Sequence, residues 1–121
     1  MKHKILLVED NEPIRENTTE LLELSNYTVL AACNGEEGLD LALQQIPDLI
    51  LCDIQMPKMN GFNLLRHIRG QASLKNTFFV FFTASSEKKE IEKGFQMGAN
   101  GYIIKPFTED ELLGKLKSLL G

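Results

Sequence analysis

The chain has 121 residues, 43% of them hydrophobic and 25% charged. That balance fits one packed domain over residues 1–121 and excludes disordered and low-complexity classes. Lys and Arg number 13 against 17 Asp and Glu, a net charge of -4, the wrong sign for a domain that grips a nucleic-acid backbone. Cys33 and Cys52 make no disulfide framework, and MKHKILLVED is no signal peptide. The longest apolar run, Phe78–Phe82, is far below the roughly 20 residues that cross a bilayer. No membrane association and a cytoplasmic location are therefore expected.

The first apolar run is Ile5–Val8. Like most of the runs that follow, it does not alternate with polar residues, the pattern of a strand covered on both faces. Asn11 and Pro13 suit the first turn of a helix. A second run, Val29–Ala32, precedes Asn34 and Glu37 at capping-box spacing. Leu39, Ala42, Leu43 and Ile46 then recur at helical period and read as a buried face. The third run, Leu49–Cys52, leads to a helix capped by Asn60 and carrying Leu64, Leu65 and Ile68. The fourth run, Phe78–Phe82, precedes a helix predicted to start at Ser86 and Glu87. Its residues Glu87–Lys93 should form a solvated face, with Ile91 and Phe95 toward the core. Gly94 and Gly98 should weaken it by about 1 kcal/mol each relative to Ala. The fifth run, Tyr102–Ile104, precedes a Thr108–Glu111 capping box and a stripe of Leu112, Leu113, Leu116, Leu119 and Leu120. Five repeats of strand then helix predict an α/β, doubly wound, three-layer sandwich around a five-stranded parallel sheet.

In this class ligands bind outside the carboxyl ends of the strands. There the residues are polar and chemically matched: Glu9 and Asp10 after the first run, Asp53 after the third, Thr83 after the fourth, Lys105 after the fifth. Three carboxylates in one crevice repel one another unless positive charge sits among them. Lys105 can neutralise one, and a hard divalent cation with oxygen ligands suits the rest, Mg²⁺ above all. With those charges in place a carboxylate can accept a phosphoryl group. Asp53 stands alone after a central-looking strand and is the best nucleophile candidate. Glu9 and Asp10 look like anchors of the metal, and Thr83 offers a donor. His3 and His67 have no ligand spacing, so no zinc site is expected. Both should lie at the surface, and Cys52 should be a small core residue.

Four segments stand in order at the strand ends: KILLVEDN at 4–11, PDLILCDIQMPKMNG at 47–61, FTAS at 82–85 and MGANGYIIKPF at 97–107. With them the sequence resembles, over its whole length, the receiver domain of bacterial two-component response regulators. The resemblance implies a flavodoxin-like sheet of strand order 2-1-3-4-5, which would keep Cys33 and Cys52 too far apart for a disulfide. It implies that Asp53 is the phosphoacceptor for a sensor histidine kinase or a histidine phosphotransfer protein. Mg²⁺ would be held by Glu9, Asp10, Asp53 and the backbone carbonyl of Gln55. Lys105 would pair with a phosphoryl oxygen, its following bond to Pro106 being cis. Thr83 and Tyr102 would form the switch, with Tyr102 turning inward and remodelling the surface of the fourth helix, fifth strand and fifth helix. That surface would meet a second copy or a downstream effector. Gln55 and Ser85 would tune how long the phosphate survives. Such a domain promotes its own phosphorylation and dephosphorylation without being a turnover enzyme.

Rival classes fit less well. The first strand–helix turn is Glu-Asp-Asn-Glu-Pro rather than a glycine-rich dinucleotide loop, and no GxxxxGK motif is present. A haloacid-dehalogenase-type phosphatase needs a second acid where Gln55 stands. A degenerate receiver that serves only for docking, or a phosphate sink without a switch, is the remaining alternative. The chain is read either as a stand-alone regulator or as the first domain of a longer one.

Overall fold

The computed structural model describes residues 2–121. Five strands alternate with five helices: β1 Lys4–Val8, α1 Glu12–Leu24, β2 Thr28–Ala32, α2 Gly35–Gln45, β3 Leu49–Cys52, α3 Gly61–Arg69, β4 Phe78–Thr83, α4 Lys88–Gln96, β5 Gly101–Ile104 and α5 Glu109–Leu120. All pairings are parallel, and the sheet order is β2-β1-β3-β4-β5. The fold therefore agrees with the sequence reading in class, element order and strand order.

The three central strands are the unbroken apolar runs because helices cover both of their faces. Successive side chains point to opposite sides. Leu6, Val8, Ile50, Cys52, Phe79 and Phe81 meet α2 and α3 through Ala42, Leu64, Leu65 and Ile68. Ile5, Leu7, Leu49, Leu51, Val80 and Phe82 meet α1 and α5 through Leu22, Leu112 and Leu116. Edge strand β5 alternates buried and half-buried residues instead. Asn11, Asn34, Asn60 and Thr108 cap α1, α2, α3 and α5 with side-chain hydrogen bonds. The Thr108–Glu111 box is reciprocal, whereas Glu37 reaches past Asn34 to the amide of Cys33.

Five sequence expectations shift. Leu43 and Ile46 are exposed, because the helix turns Gly35, Gly38 and Ala42 inward. Ile46 lies beyond its end in the left-handed region (φ 45°) before Pro47. The fourth helix starts at Lys88 with Glu87 at its cap, not at Ser86, and that cap makes no side-chain hydrogen bond. Phe95 is 47% exposed, since α4 turns Gly94 to the sheet: a Cβ there would lie 3.0 Å from the Phe81 ring and 3.2 Å from the Tyr102 ring. Gly98 lies outside α4 altogether, at φ 104°, where glycine is favoured. His67 is exposed as expected, but His3 is half-buried.

Gly94 is the only residue α4 buries completely, so little apolar surface fastens this helix to the sheet. Its far end is held from outside. The half-buried Arg69 donates to the carbonyls of Gly98 and Thr77 and to Asn100 Oδ1, at 2.8–3.1 Å. The anchoring contrast, a tied C-terminal turn and an uncapped start, places the freedom of α4 at the end nearest the carboxyl edge of β4.

Candidate functional site

The sheet brings Glu9, Asp10, Asp53, Thr83 and Lys105 to the carboxyl ends of β1, β3, β4 and β5, as the sequence pattern implies. Parallel register does this without long-range coincidence. The Glu9 amide continues the ladder to Ala32, and the Asp53 amide continues it to Val8. Each acid is therefore fixed by the last rung of a buried strand. Cys52, buried just behind, donates its thiol to the Asp53 carbonyl at 3.0 Å.

Lys105 Nζ stands between two carboxylates, 2.5 Å from Glu9 Oε1 and 3.0 Å from Asp53 Oδ2. It bridges two acids where the sequence suggested neutralisation of one, and it lies 4.6 Å from the centre of the Phe82 ring. Glu9 is almost wholly buried, at 1% exposure. Burial raises its carboxyl above the ordinary value, against the pull of Lys105 and of the Asn11 amide, and the charge of Asp53 adds to the rise. Burial also works to lower the ammonium of Lys105, but the hydrogen bonds and charges of Glu9 and Asp53 outweigh it and leave it raised. The peptide bond between Lys105 and Pro106 is cis.

Asp10 is exposed. One carboxylate oxygen from each of Glu9, Asp10 and Asp53 lies within 4.8 Å of the others. An octahedral ion with bonds of about 2.1 Å has ligands about 3–4.2 Å apart, so small side-chain movements close this set around one ion. The donors are all hard oxygens, and three carboxylates face a single ammonium. The residues present fit Mg²⁺.

Beside Asp53 a crevice of about 370 Å³ is lined by Gln55, Thr83, Ala84, Ser85 and Lys105. Thr83 is buried, and its hydroxyl accepts from the Ser85 amide at 3.4 Å. Gly61 supports the crevice from below: its amide donates to the Ile54 carbonyl at 2.7 Å. A Cβ there would sit 2.4 Å from the Asp53 carbonyl oxygen and 2.9 Å from the Ile54 Cα. Both obstacles are backbone, so Gly61→Ala should cost about 1–3 kcal/mol, read as a lower urea midpoint at unchanged slope.

Tyr102, expected as the switch aromatic, is half-buried. Its hydroxyl is already buried, and its ring packs 5.4 Å from Phe81 and 6.1 Å from Phe95. The missing Cβ of Gly94 gives it that room. Burial, then the charge of Glu90, push its phenol up from 10.0 to about 12. A phenol that holds its proton more tightly when folded stabilises the fold below the ordinary value of 10.0 and loses that contribution as pH rises toward 12. Alkaline titration of phenolate absorbance should show both tyrosines late, since burial raises Tyr27 too. A phenol of Tyr102 titrating at its ordinary value would contradict this packing.

Other contacts carry no signature in spacing. Arg15 Nη1 donates to the Glu9 carbonyl at 2.9 Å, placing a second cation behind the acidic turn. Ser85 donates to Glu90, and Lys93 lies over the Phe62 ring. A charged residue in the first turn of a helix reads as surface until the fold shows what it faces.

Comparison with known proteins agrees with this geometry. The model of the response regulator receiver domain family matches residues 5–117. The chain is a response regulator receiver domain. It is similar to the chemotaxis protein CheY4 of Vibrio cholerae, with a TM-score of 0.95 and 32% identity over 99% of this chain and 100% of that one. The non-phosphorylated HemR receiver domain of Leptospira biflexa superposes with a TM-score of 0.89 at 36% identity, covering 98% and 94% of the two chains. The transcriptional regulatory protein DltR of Streptococcus agalactiae is 39% identical over 114 residues, 94% of this receiver and 50% of that protein. The receiver spans about half the length of the curated relatives it matches. It belongs to two-component signalling, whose receivers are signalling domains that work with kinases and effectors. Among the described residues no helix is long and apolar enough to cross a membrane.

Proposed function

We propose that this receiver accepts a phosphoryl group on Asp53 from a sensor histidine kinase or a histidine phosphotransfer protein, in a Mg²⁺-dependent reaction. The observation that carries the reading is the Lys105 ammonium, 3.0 Å from Asp53 Oδ2, beside a cluster of carboxylates with charge left over. Glu9, Asp10, Asp53 and the backbone carbonyl of Gln55 would hold the ion. When bound, Mg²⁺ offsets negative charge at the acceptor and on the incoming phosphoryl oxygens.

The remaining work belongs to side chains. An Asp53 oxygen attacks phosphorus, and the bond from phosphorus to the donor breaks with its electron pair leaving on the donor. Lys105 exchanges its contact with the Asp53 carboxylate for one with a phosphoryl oxygen, keeping its grip on Glu9. Thr83 gives up the Ser85 amide and donates its hydroxyl to another phosphoryl oxygen. Its movement reaches Tyr102 and the face formed by α4, β5 and α5, which we assign to a second copy or a downstream effector. Ser85 and Gln55 flank the path of water and so govern how long the phosphate lasts.

The intact cluster favours this reading over a docking-only receiver, which would have no need to assemble three acids around one lysine. The test is incubation with acetyl phosphate and Mg²⁺, followed by intact-mass measurement. One phosphoryl group should be added, removed by hydroxylamine as acyl phosphates are, and absent when the metal is chelated. Placement of the adduct on Ser85 or Ser86 would overturn the assignment. Thr83→Ala should still accept the group while losing the distal response.

A further inference from the structure

Glu90 sits in the first turn of α4 but caps nothing there. Its carboxylate accepts a hydrogen bond from the hydroxyl of Ser85, and Ser85 lines the crevice with Asp53, Thr83 and Lys105. On the sheet side lies the Tyr102 hydroxyl, buried and without a hydrogen-bond partner among the described residues. An unpaired buried hydroxyl is an unfavourable arrangement that a nearby acceptor relieves. Glu90 lies one helical turn before Gly94, on the face of α4 that covers the Tyr102 ring, and after burial its charge adds to the rise of the Tyr102 phenol to about 12. One carboxylate thus binds the hydroxyl of a crevice residue and sits on the helix face above a ring whose hydroxyl lacks an acceptor.

We propose that Glu90 relays the state of the Asp53 crevice to Tyr102 by exchanging hydroxyl partners, Ser85 at rest and Tyr102 once Ser85 is drawn away. The relay rests on the reading of Asp53 as phosphoacceptor. A phosphoryl group brings three strong acceptor oxygens and nearly two negative charges. It competes for the Ser85 proton donor and repels the Glu90 carboxylate from the crevice mouth. Thr83, leaving the Ser85 amide, loosens the same short loop. Released from Ser85, Glu90 accepts from Tyr102, and the uncapped start of α4 moves with it. Only hydrogen bonds change partners, and every proton stays on its own oxygen. The Tyr102 hydroxyl is already buried, so what the switch alters is its partner.

The test uses the full chain with ring-labelled tyrosine, followed by NMR before and after beryllofluoride and Mg²⁺, with Tyr27 as internal reference. In the wild type the Tyr102 ring signals should shift on addition. In Ser85→Ala they should lie shifted toward that position before addition, because Glu90 has lost its resting partner. Glu90→Ala should still perturb the amides around Asp53 but lose most of the Tyr102 shift. Glu90→Gln keeps an acceptor oxygen and should restore the larger part of it. A Glu90→Ala protein with the full wild-type Tyr102 response would overturn the relay. So would a Ser85→Ala protein whose resting Tyr102 signals match those of the wild type. A wild type that takes up no beryllofluoride around Asp53 would instead overturn the phosphoacceptor reading, and with it the relay's input.

Discussion

Asp53→Asn should abolish the phosphoryl adduct formed with acetyl phosphate. The amide keeps the shape of the carboxylate but is a poor nucleophile, and it removes one of the three acids that would hold the metal. The nearby hydroxyls do not substitute. Those of Thr83 and Ser85 are neutral and far weaker nucleophiles than a carboxylate, and Ser85 already donates to Glu90. Asp10→Asn should instead slow the reaction at least tenfold, since loss of even an outer partner of a metal site costs about 10–100-fold in affinity or activity. The measurement is adduct formation against time by intact mass. An adduct on Asp53→Asn at the wild-type rate would remove Asp53 from the chemistry.

Lys105→Ala should be the most destabilising change in the site. Lys105 neutralises a Glu9 carboxylate that is 1% exposed, and it is itself 15% exposed. Removing one partner of a buried pair costs about 3–5 kcal/mol, because the other charge is left uncompensated. The partial exposure of Lys105 puts the expectation near 3 kcal/mol at neutral pH. The pH dependence has a definite sign. Glu9 is already raised above its ordinary value by burial, and without Lys105 it rises further. The folded variant then binds a proton that the unfolded chain releases, so its deficit shrinks as pH falls and grows as pH rises. Added Mg²⁺ should recover part of the loss by supplying positive charge at the same carboxylates. Urea titrations of both proteins at two pH values, with and without Mg²⁺, check all three points. A deficit that ignores both pH and metal would mean that Lys105 acts through packing alone.

Much of this molecule is legible from its sequence, for a physical reason. A parallel sheet covered on both faces demands unbroken apolar strands, and the polar residue that ends each run falls at the ligand-binding edge. Asp53, Thr83 and Lys105 are therefore placed at that edge by the sequence pattern. Strand order came from the family resemblance, because periodicity carries no information about which strands are neighbours. The errors lie where a local pattern meets a tertiary demand. The apolar Leu43 and Ile46 keep helical spacing, yet Gly38 and Ala42 face the sheet and Gly35 meets Met59, because close approach of α2 favours small residues. Phe95 reads as core, yet Gly94 takes that place so that the Tyr102 ring can lie beneath α4. The clamp of Arg69 on Gly98 and Asn100 and the link from Ser85 to Glu90 join segments by side chains alone. Hydrophobic pattern cannot register them.

Charge arriving at Asp53 is expected to change a surface beyond the residues that touch it. Population arithmetic sets the demand: moving a two-state equilibrium from 1:99 to 99:1 needs about 5.5 kcal/mol. A few charge-assisted hydrogen bonds at about 1.5–3 kcal/mol each meet it. The most direct measurement is a map of backbone amide shifts on addition of beryllofluoride and Mg²⁺ to wild type and Thr83→Ala. The wild type should show shifts along β4, α4 and β5 as well as in the loops around Asp53, and Thr83→Ala should confine them to those loops. A wild-type response limited to the loops that touch Asp53, with residues 91–107 unchanged, would contradict the switch and leave a phosphate sink.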